Sequence, residues 1–169
     1  MTNIAIVLIG LFAIISAQKA SEDMAGAQSP LDIFELIDKI TSEPVVSYDT
    51  VERNMGIHLN LASEGVFNNY EAEDYHISGS ILEKIEYRQP VVGSGASRGS
   101  ILSIRIGGEC VDRKEVILRY SDLAITDVPK GHSLDEQTYY SAAKPWGKIS
   151  FGFSERVPDC LRTIVISVG

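Results

Sequence analysis

The chain predicts an α+β fold: a mainly antiparallel sheet of about five to seven strands, two or three helices packed on one face, and one disulfide. Three observations carry this. Several short runs alternate apolar and polar residues between Gly, Pro and Ser clusters, the period of half-buried antiparallel strands. Other segments repeat their apolar residues at helical spacing behind capping residues. The two cysteines, Cys110 and Cys160, stand far apart and neither belongs to a CxxC pair.

The elements follow in chain order. Ser29-Pro30 offers an N-cap and a first-turn proline, and Ile33, Phe34, Ile37 and Ile40 then recur at helical spacing, with Glu43-Pro44 as the stop. A second short helix is expected over 49–55, closed by Gly56. Ile57, Leu59 and Leu61 alternate as a strand does, whereas 64–80 is polar and reads as a loop or frayed strand. Ile81, Glu83, Ile85 and Tyr87 form the next alternating set, and Leu102, Ile104 and Ile106 another. The glycine- and serine-rich stretch 93–99 joins these two as antiparallel neighbours. Asp112 with Glu115 makes a capping box for a helix to about Tyr120, with Val116, Ile117 and Tyr120 on its apolar face. Alternation of Val116, Leu118 and Tyr120 also permits a strand there, and the helix is preferred.

The last third is a β-meander packed on the Asp112 helix. Thr138-Tyr139-Tyr140 is a short strand. Residues 146–153 place Ile149, Phe151 and Phe153 inward, and 162–168 place Ile164, Ile166 and Val168 inward, with Pro158-Asp159 in the turn between them. The folded part, 29–169, is then one domain. Its elements can be written as two unequal α-β-β-β units, 30–107 and 108–169, without a repeat at the level of residues.

A chain of 169 residues suits one domain, and 44% hydrophobic with 22% charged residues suits a packed core. Fifteen basic residues against twenty-three acidic ones give a net charge of −8. Such a surface repels phosphate backbones and anionic lipid headgroups, so nucleic-acid binding and membrane docking are disfavoured. Residues 4–17 are apolar or small and uncharged, too short to span a bilayer but suited to a signal-peptide core. Cleavage is expected between 17 and 27, with 1–20 as the nominal signal, although no basic side chain precedes the core; an uncleaved anchor or a buried helix is the alternative. The expected location is periplasmic or secreted, with no stable membrane insertion after cleavage. In that oxidising setting Cys110 and Cys160 read as one structural disulfide, two independent buried thiols being the alternative.

The stretch 111–166 resembles a module of two exported bacterial groups, the β-lactamase inhibitory proteins and the small outer-membrane assembly lipoproteins. Trp146-Gly147-Lys148-Ile149-Ser150-Phe151-Gly152-Phe153 and Leu161-Arg162-Thr163-Ile164-Val165-Ile166 carry the resemblance, over about a third of the chain. The chain departs from the pattern in lacking a lipid-anchor cysteine and in bracketing the meander with its cysteines. The resemblance implies a non-enzymatic exported module that acts by binding another protein, as a periplasmic inhibitor or immunity protein does. No residue role is carried over from it.

The residues themselves offer few chemical constellations. Gly131-His132-Ser133-Leu134-Asp135-Glu136 gathers a base, a hydroxyl and two carboxylates, and supports the alternative of a small periplasmic hydrolase or ligand-binding enzyme using His132 with Asp135 or Glu136. Adjacent His and Ser side chains point apart, and Ser133 with Glu136 is also an ordinary capping box, so no catalytic residue is assigned. His58 is expected to be exposed. His76 follows Glu71, Glu73 and Asp74, but this run lacks the spaced oxygens of a calcium loop, and neither a metal nor a cofactor is expected. The 93–99 stretch lacks the GxxxxGK[ST] pattern of a phosphate loop. Tyr70, Tyr75, Tyr87, Tyr120, Tyr139 and Tyr140 either pack at the core edge or serve as interface anchors. A binding surface for a basic protein partner is placed on the 70–76 and 93–99 loops, with Tyr70, Glu71, Glu73, Asp74, Tyr75 and Arg98 as its residues.

Overall fold

The computed structural model describes residues 31–42, 47–96 and 99–169. The apolar run 4–17, its cleavage region, Ser29-Pro30, Glu43-Pro44 and Arg98 lie outside the described residues. The elements are α1 (Ile33–Thr41), α2 (Tyr48–Met55), β1 (Asn60–Ser63), β2 (Phe67–Ile77), β3 (Ser80–Pro90), β4 (Ile101–Gly108), α3 (Arg113–Arg119), β5 (Ala124–Asp127), β6 (Gln137–Lys144), β7 (Gly147–Ser154) and β8 (Leu161–Val168). All eight strands form one antiparallel sheet in the order β1-β2-β3-β4-β8-β7-β6-β5. The strand count exceeds the expected five to seven, and the sheet dominates the fold.

The helices begin where side chains satisfy their first N–H groups. Asp32 caps α1: its Oδ1 accepts from the Glu35 backbone N–H, and Glu35 Oε2 accepts from the Asp32 N–H in return. The helix therefore opens at Ile33 behind Asp32. Gly56 closes α2 with φ of 67°, a conformation glycine takes without strain. The helix expected after Asp112 is present as α3, with Asp112 accepting from the Lys114 N–H. Only Val116 of its apolar set is fully buried; Ile117 is exposed.

One face of the sheet carries the core. Leu82, Ile85, Tyr87, Leu102, Ile104, Ile106, Ile149, Phe151, Phe153, Ile164 and Ile166 point inward and are almost fully buried. Phe34, Leu36, Ile37 and Ile40 of α1, Val51 and Met55 of α2 and Val116 of α3 cover them. Ring contacts confirm the common side: Tyr48 lies 4.6 Å from Tyr70, and Tyr120 lies 4.7 Å from Phe151 and 6.4 Å from Phe34. Burial of this apolar surface is the main stabilising term.

Four strand expectations need correction. The polar segment 64–80 is no loop; most of it is the eleven-residue β2, which alternates Tyr70, Ala72, Tyr75 and Ile77 toward the helices with charged residues outward. The strand after α2 starts only at Asn60, so Leu59 is buried while Leu61 is exposed. The short tyrosine strand extends over Gln137–Lys144, and β5, an exposed four-residue edge strand, carries no apolar alternation to announce it. In β3 the alternating set Ile81, Glu83, Ile85 and Tyr87 does not keep to one face. A bulge at Glu83 shifts the register, so that Leu82 pairs with Ile106 and points inward in place of Glu83.

Cys110 and Cys160 form the disulfide, with Cα atoms 5.1 Å apart. It ties the exit of β4 to the entry of β8, beside hydrogen bonds from Leu161 N–H to the Val111 carbonyl and from Arg113 N–H to the Asp159 carbonyl. Each half of the chain consists of helix followed by a four-stranded meander, and the halves join through their last strands, β4 and β8. Both first strands carry a register shift at the third of their four residues, Ala62 and Thr126. No helix among the described residues is long and apolar enough to cross a membrane.

Candidate functional site

Among the described residues all three helices pack on one face of the sheet and none on the other. Antiparallel register aligns its outward residues in transverse rows. One row runs Tyr139, Gly152, Thr163, Arg105, Lys84 and Glu73; the next runs Ser141, Ser150, Val165, Ser103, Glu86 and Glu71. The composition is hydroxylic near β6–β8 and charged near β2–β3. Thr126, Ser141 and Ser150 link into a hydroxyl chain, with Oγ–Oγ distances of 2.7 and 2.8 Å. Lys84 holds Glu86 at 3.0 Å and Glu71 at 3.4 Å, and Arg88 stacks 3.9 Å from the Phe67 ring centroid.

Two concavities occupy this face. One, of about 370 Å³, is lined by Ile101, Thr126, Tyr139, Lys148, Val165 and Ser167 among others. The other, of about 480 Å³, lies toward the β7–β8 turn and includes Arg105, Gln137, Arg156 and Arg162. Gly152 makes the floor between them possible, because a Cβ there would stand 2.0 Å from Gln137 Oε1 and 2.8 Å from Tyr139 Cε1.

The residues singled out in the sequence are divided by the sheet. Tyr70 and Tyr75 face the helices: Tyr70 packs on Tyr48, and the Tyr75 hydroxyl donates to the Met55 carbonyl at 2.8 Å. Glu71 and Glu73 are on the open face, and Asp74 is exposed in a left-handed conformation, φ 55°. Tyr87 is fully buried, Tyr120 and Tyr140 pack against the core, and Tyr139 alone of the tyrosine set lines the open face.

The His132 segment is held by structural bonds. The Glu136 carboxylate accepts from the backbone N–H groups of Lys130, Gly131 and His132, which turns the loop back on itself. Asp135 is gripped by Arg156 at 2.9 and 3.3 Å, and that guanidinium holds its carboxyl below the usual carboxylate range. The His132 imidazole bonds neither carboxylate among the described residues. No group of three or more His, Cys, Asp or Glu among the described residues is placed to hold a metal ion.

A network that the sequence did not announce lies at the α2–β1 junction. Glu52 accepts from the Leu59 backbone N–H and the Tyr48 hydroxyl, both at 2.7 Å, and His58 Nδ1 stands 2.9 Å away. These bonds, led by the Leu59 N–H, lower the Glu52 pKa, and the bond that the Tyr48 hydroxyl donates to Glu52 pushes that hydroxyl up to about 12. The arginines of the larger concavity were also missed. Only Arg105 sits on the polar side of an alternating strand, which reads as solvated surface; Arg156 lies in the β7–β8 turn, and alternation alone puts Arg162 on the apolar side.

A search for similar proteins finds no family, no curated protein and no solved structure that matches the chain.

Proposed function

We propose that the protein is an exported, non-enzymatic binding module that seats another protein on the open face of its sheet, in the manner of a periplasmic inhibitor or immunity protein. The observation that carries the reading is the open face itself. A single eight-stranded sheet buries one side under every described helix and leaves the other as a polar surface with two concavities. A polar, partly hydroxylic floor with half-buried Tyr139 and Val165 in it matches the mixed character of non-obligate protein interfaces. The disulfide supports an oxidising location, and the resemblance of 111–166 to exported inhibitor modules supports the same class of role. The net charge of −8, with Glu71 and Glu73 on this face, favours a basic partner through faster association.

The test is capture of a partner from periplasmic extract with the mature chain, compared with the double variant S103K/V165E. Ser103 and Val165 are cross-strand neighbours at the middle of the open face. An opposite-charge pair there keeps the sheet intact while filling the groove. Capture by the wild type and its loss in the variant, with unchanged circular dichroism, is the expected result. Equal capture by both, or hydrogen-exchange protection confined to the helices, would overturn the placement. An enzymatic reading predicts instead that H132A abolishes a hydrolytic activity.

A further inference from the structure

The cavity at the β7–β8 turn end of this face gathers Arg105, Arg156 and Arg162 beside Asp135, Gln137 and Ser154. Three guanidiniums in one concavity are unexpected in a chain with fifteen basic and twenty-three acidic residues. Their charges are unequally compensated. Arg156 forks onto Asp135 through two hydrogen bonds. Arg162 has Glu83 at 3.6 Å, beyond hydrogen-bond reach, with both side chains more than a third exposed. Arg105 is exposed, and its side chain makes no ion pair or hydrogen bond among the described residues. The described lining sets three guanidiniums against one carboxylate, Asp135, with Glu83 beside Arg162, so the lining carries net positive charge within an acidic protein.

The backbone is shaped to bring these groups together. In β8 an extra residue is inserted opposite Gly152 and Phe153, so Thr163 pairs with Gly152 and Leu161 with Phe153. That inserted residue is Arg162. Strict alternation would turn Arg162 toward the helices; the bulge turns it to the open face, and Leu161 takes the buried place. Arg105 arrives on the same face through its pairing with Thr163. Gln137 binds Thr163 Oγ1 through Nε2 at 3.0 Å and leaves Oε1 buried without a donor. Like charges crowded in a concavity raise the energy of the empty site, and an oxyanion that forks onto guanidinium groups relieves it.

We infer that this cavity is an oxyanion site, taking a carboxylate or a phosphate group chiefly on Arg105 and Arg162, with Arg156 held at its rim by Asp135. The site goes beyond the partner reading: a free anion fills it as readily as an acidic side chain presented by a protein.

The experiment is NMR titration of the 15N-labelled chain at constant ionic strength with three probes: inorganic phosphate, acetate and a short glutamate-rich peptide. The arginine Nε–H signals of Arg105 and Arg162 are expected to shift saturably, with affinity in about the millimolar range. R105Q and R162Q should each weaken binding about tenfold or more, while R88Q, on the same face over Phe67, leaves it unchanged. Tightest binding of phosphate assigns the site to a free or ligand-borne phosphate; tightest binding of the peptide assigns it to acidic side chains. No saturable shift with any probe, or equal shifts with chloride or in R105Q, overturns the proposal. Because S103K/V165E leaves these arginines in place, anion binding retained in that variant separates this site from the partner reading.

Discussion

Replacing both cysteines by alanine removes a covalent link between positions 50 residues apart. In the chain-entropy model a loop of that length restricts the unfolded chain enough to stabilise the native state by about 4 kcal/mol. The native junction has other supports: Leu161 N–H donates to the Val111 carbonyl at 2.9 Å, and Arg113 pairs with Asp159 at 2.8 Å. The loss should therefore fall on the unfolded ensemble, leaving the native structure in place. For a domain of this size about 4 kcal/mol corresponds to a midpoint lower by roughly 8–16 °C. Urea unfolding of C110A/C160A, followed by Trp146 fluorescence and circular dichroism, gives the free energy and the slope. The slope should rise, because an unlinked denatured chain exposes more surface. A loss below about 1 kcal/mol with unchanged slope would show that the bond does not constrain the unfolded chain. Collapse of the native NMR dispersion would show that it holds the native geometry itself. Either result refutes the entropic account.

Three further outcomes are expected. Glu52 has a lowered native pKa, so its bonds to Leu59 N–H and Tyr48 contribute stability that is complete above the unfolded carboxyl pKa and disappears as pH falls through the native one. The difference in unfolding free energy between wild type and E52A should be about 1–3 kcal/mol at pH 7 and shrink below about pH 4; a pH-independent difference would contradict this. G152A should lose about 1–3 kcal/mol in urea unfolding, since its Cβ meets Gln137 and Tyr139 side chains that must move. I37A, at a site 1% exposed, should cost about 2–5 kcal/mol, whereas L118A, at 82% exposure, should stay within about 0.5 kcal/mol; similar losses at both would mean that α1 does not close the core.

The inward half of the fold was legible because burial leaves a period. Leu102, Ile104 and Ile106 and the pair of runs in β7 and β8 announce half-buried strands, and Gly56 and Asp112 announce helix ends. What escaped lacks that period. In β2 the inward positions are Tyr70, Ala72, Tyr75 and Ile77, mostly amphipathic rings and a methyl group, and between them stand only polar residues, so mean hydropathy is low and the segment imitates a loop. Bulges at Glu83 and Arg162 insert single residues that break the alternation in strands otherwise easy to read. Local pattern cannot announce a bulge, because the register is fixed by the neighbouring strand.

The open face was illegible for a different reason, and topology supplies it. β4 and β5 are consecutive strands, yet in the sheet they are separated by β8, β7 and β6. The chain must therefore travel roughly 19 Å across the sheet, four strand spacings, on one side or the other. It crosses on the helix side: α3 lies on this path, buries Val116 and brings Tyr120 against Phe151. With α1 and α2 already on that side, the crossing completes the core over β7 and β8 and puts no described helix on the opposite surface of the same strands. Their outward residues are largely small hydroxyls that find one another: Ser141 and Ser150 are buried and hydrogen-bonded together, and Thr163 accepts from Gln137. In sequence such residues look like the solvated half of any amphipathic strand. Only when β4 and β8 are set side by side do Arg105 and Arg162, 57 positions apart in number, become neighbours on one concavity. The chemistry of this face is thus a property of strand order, which no single segment of the chain records.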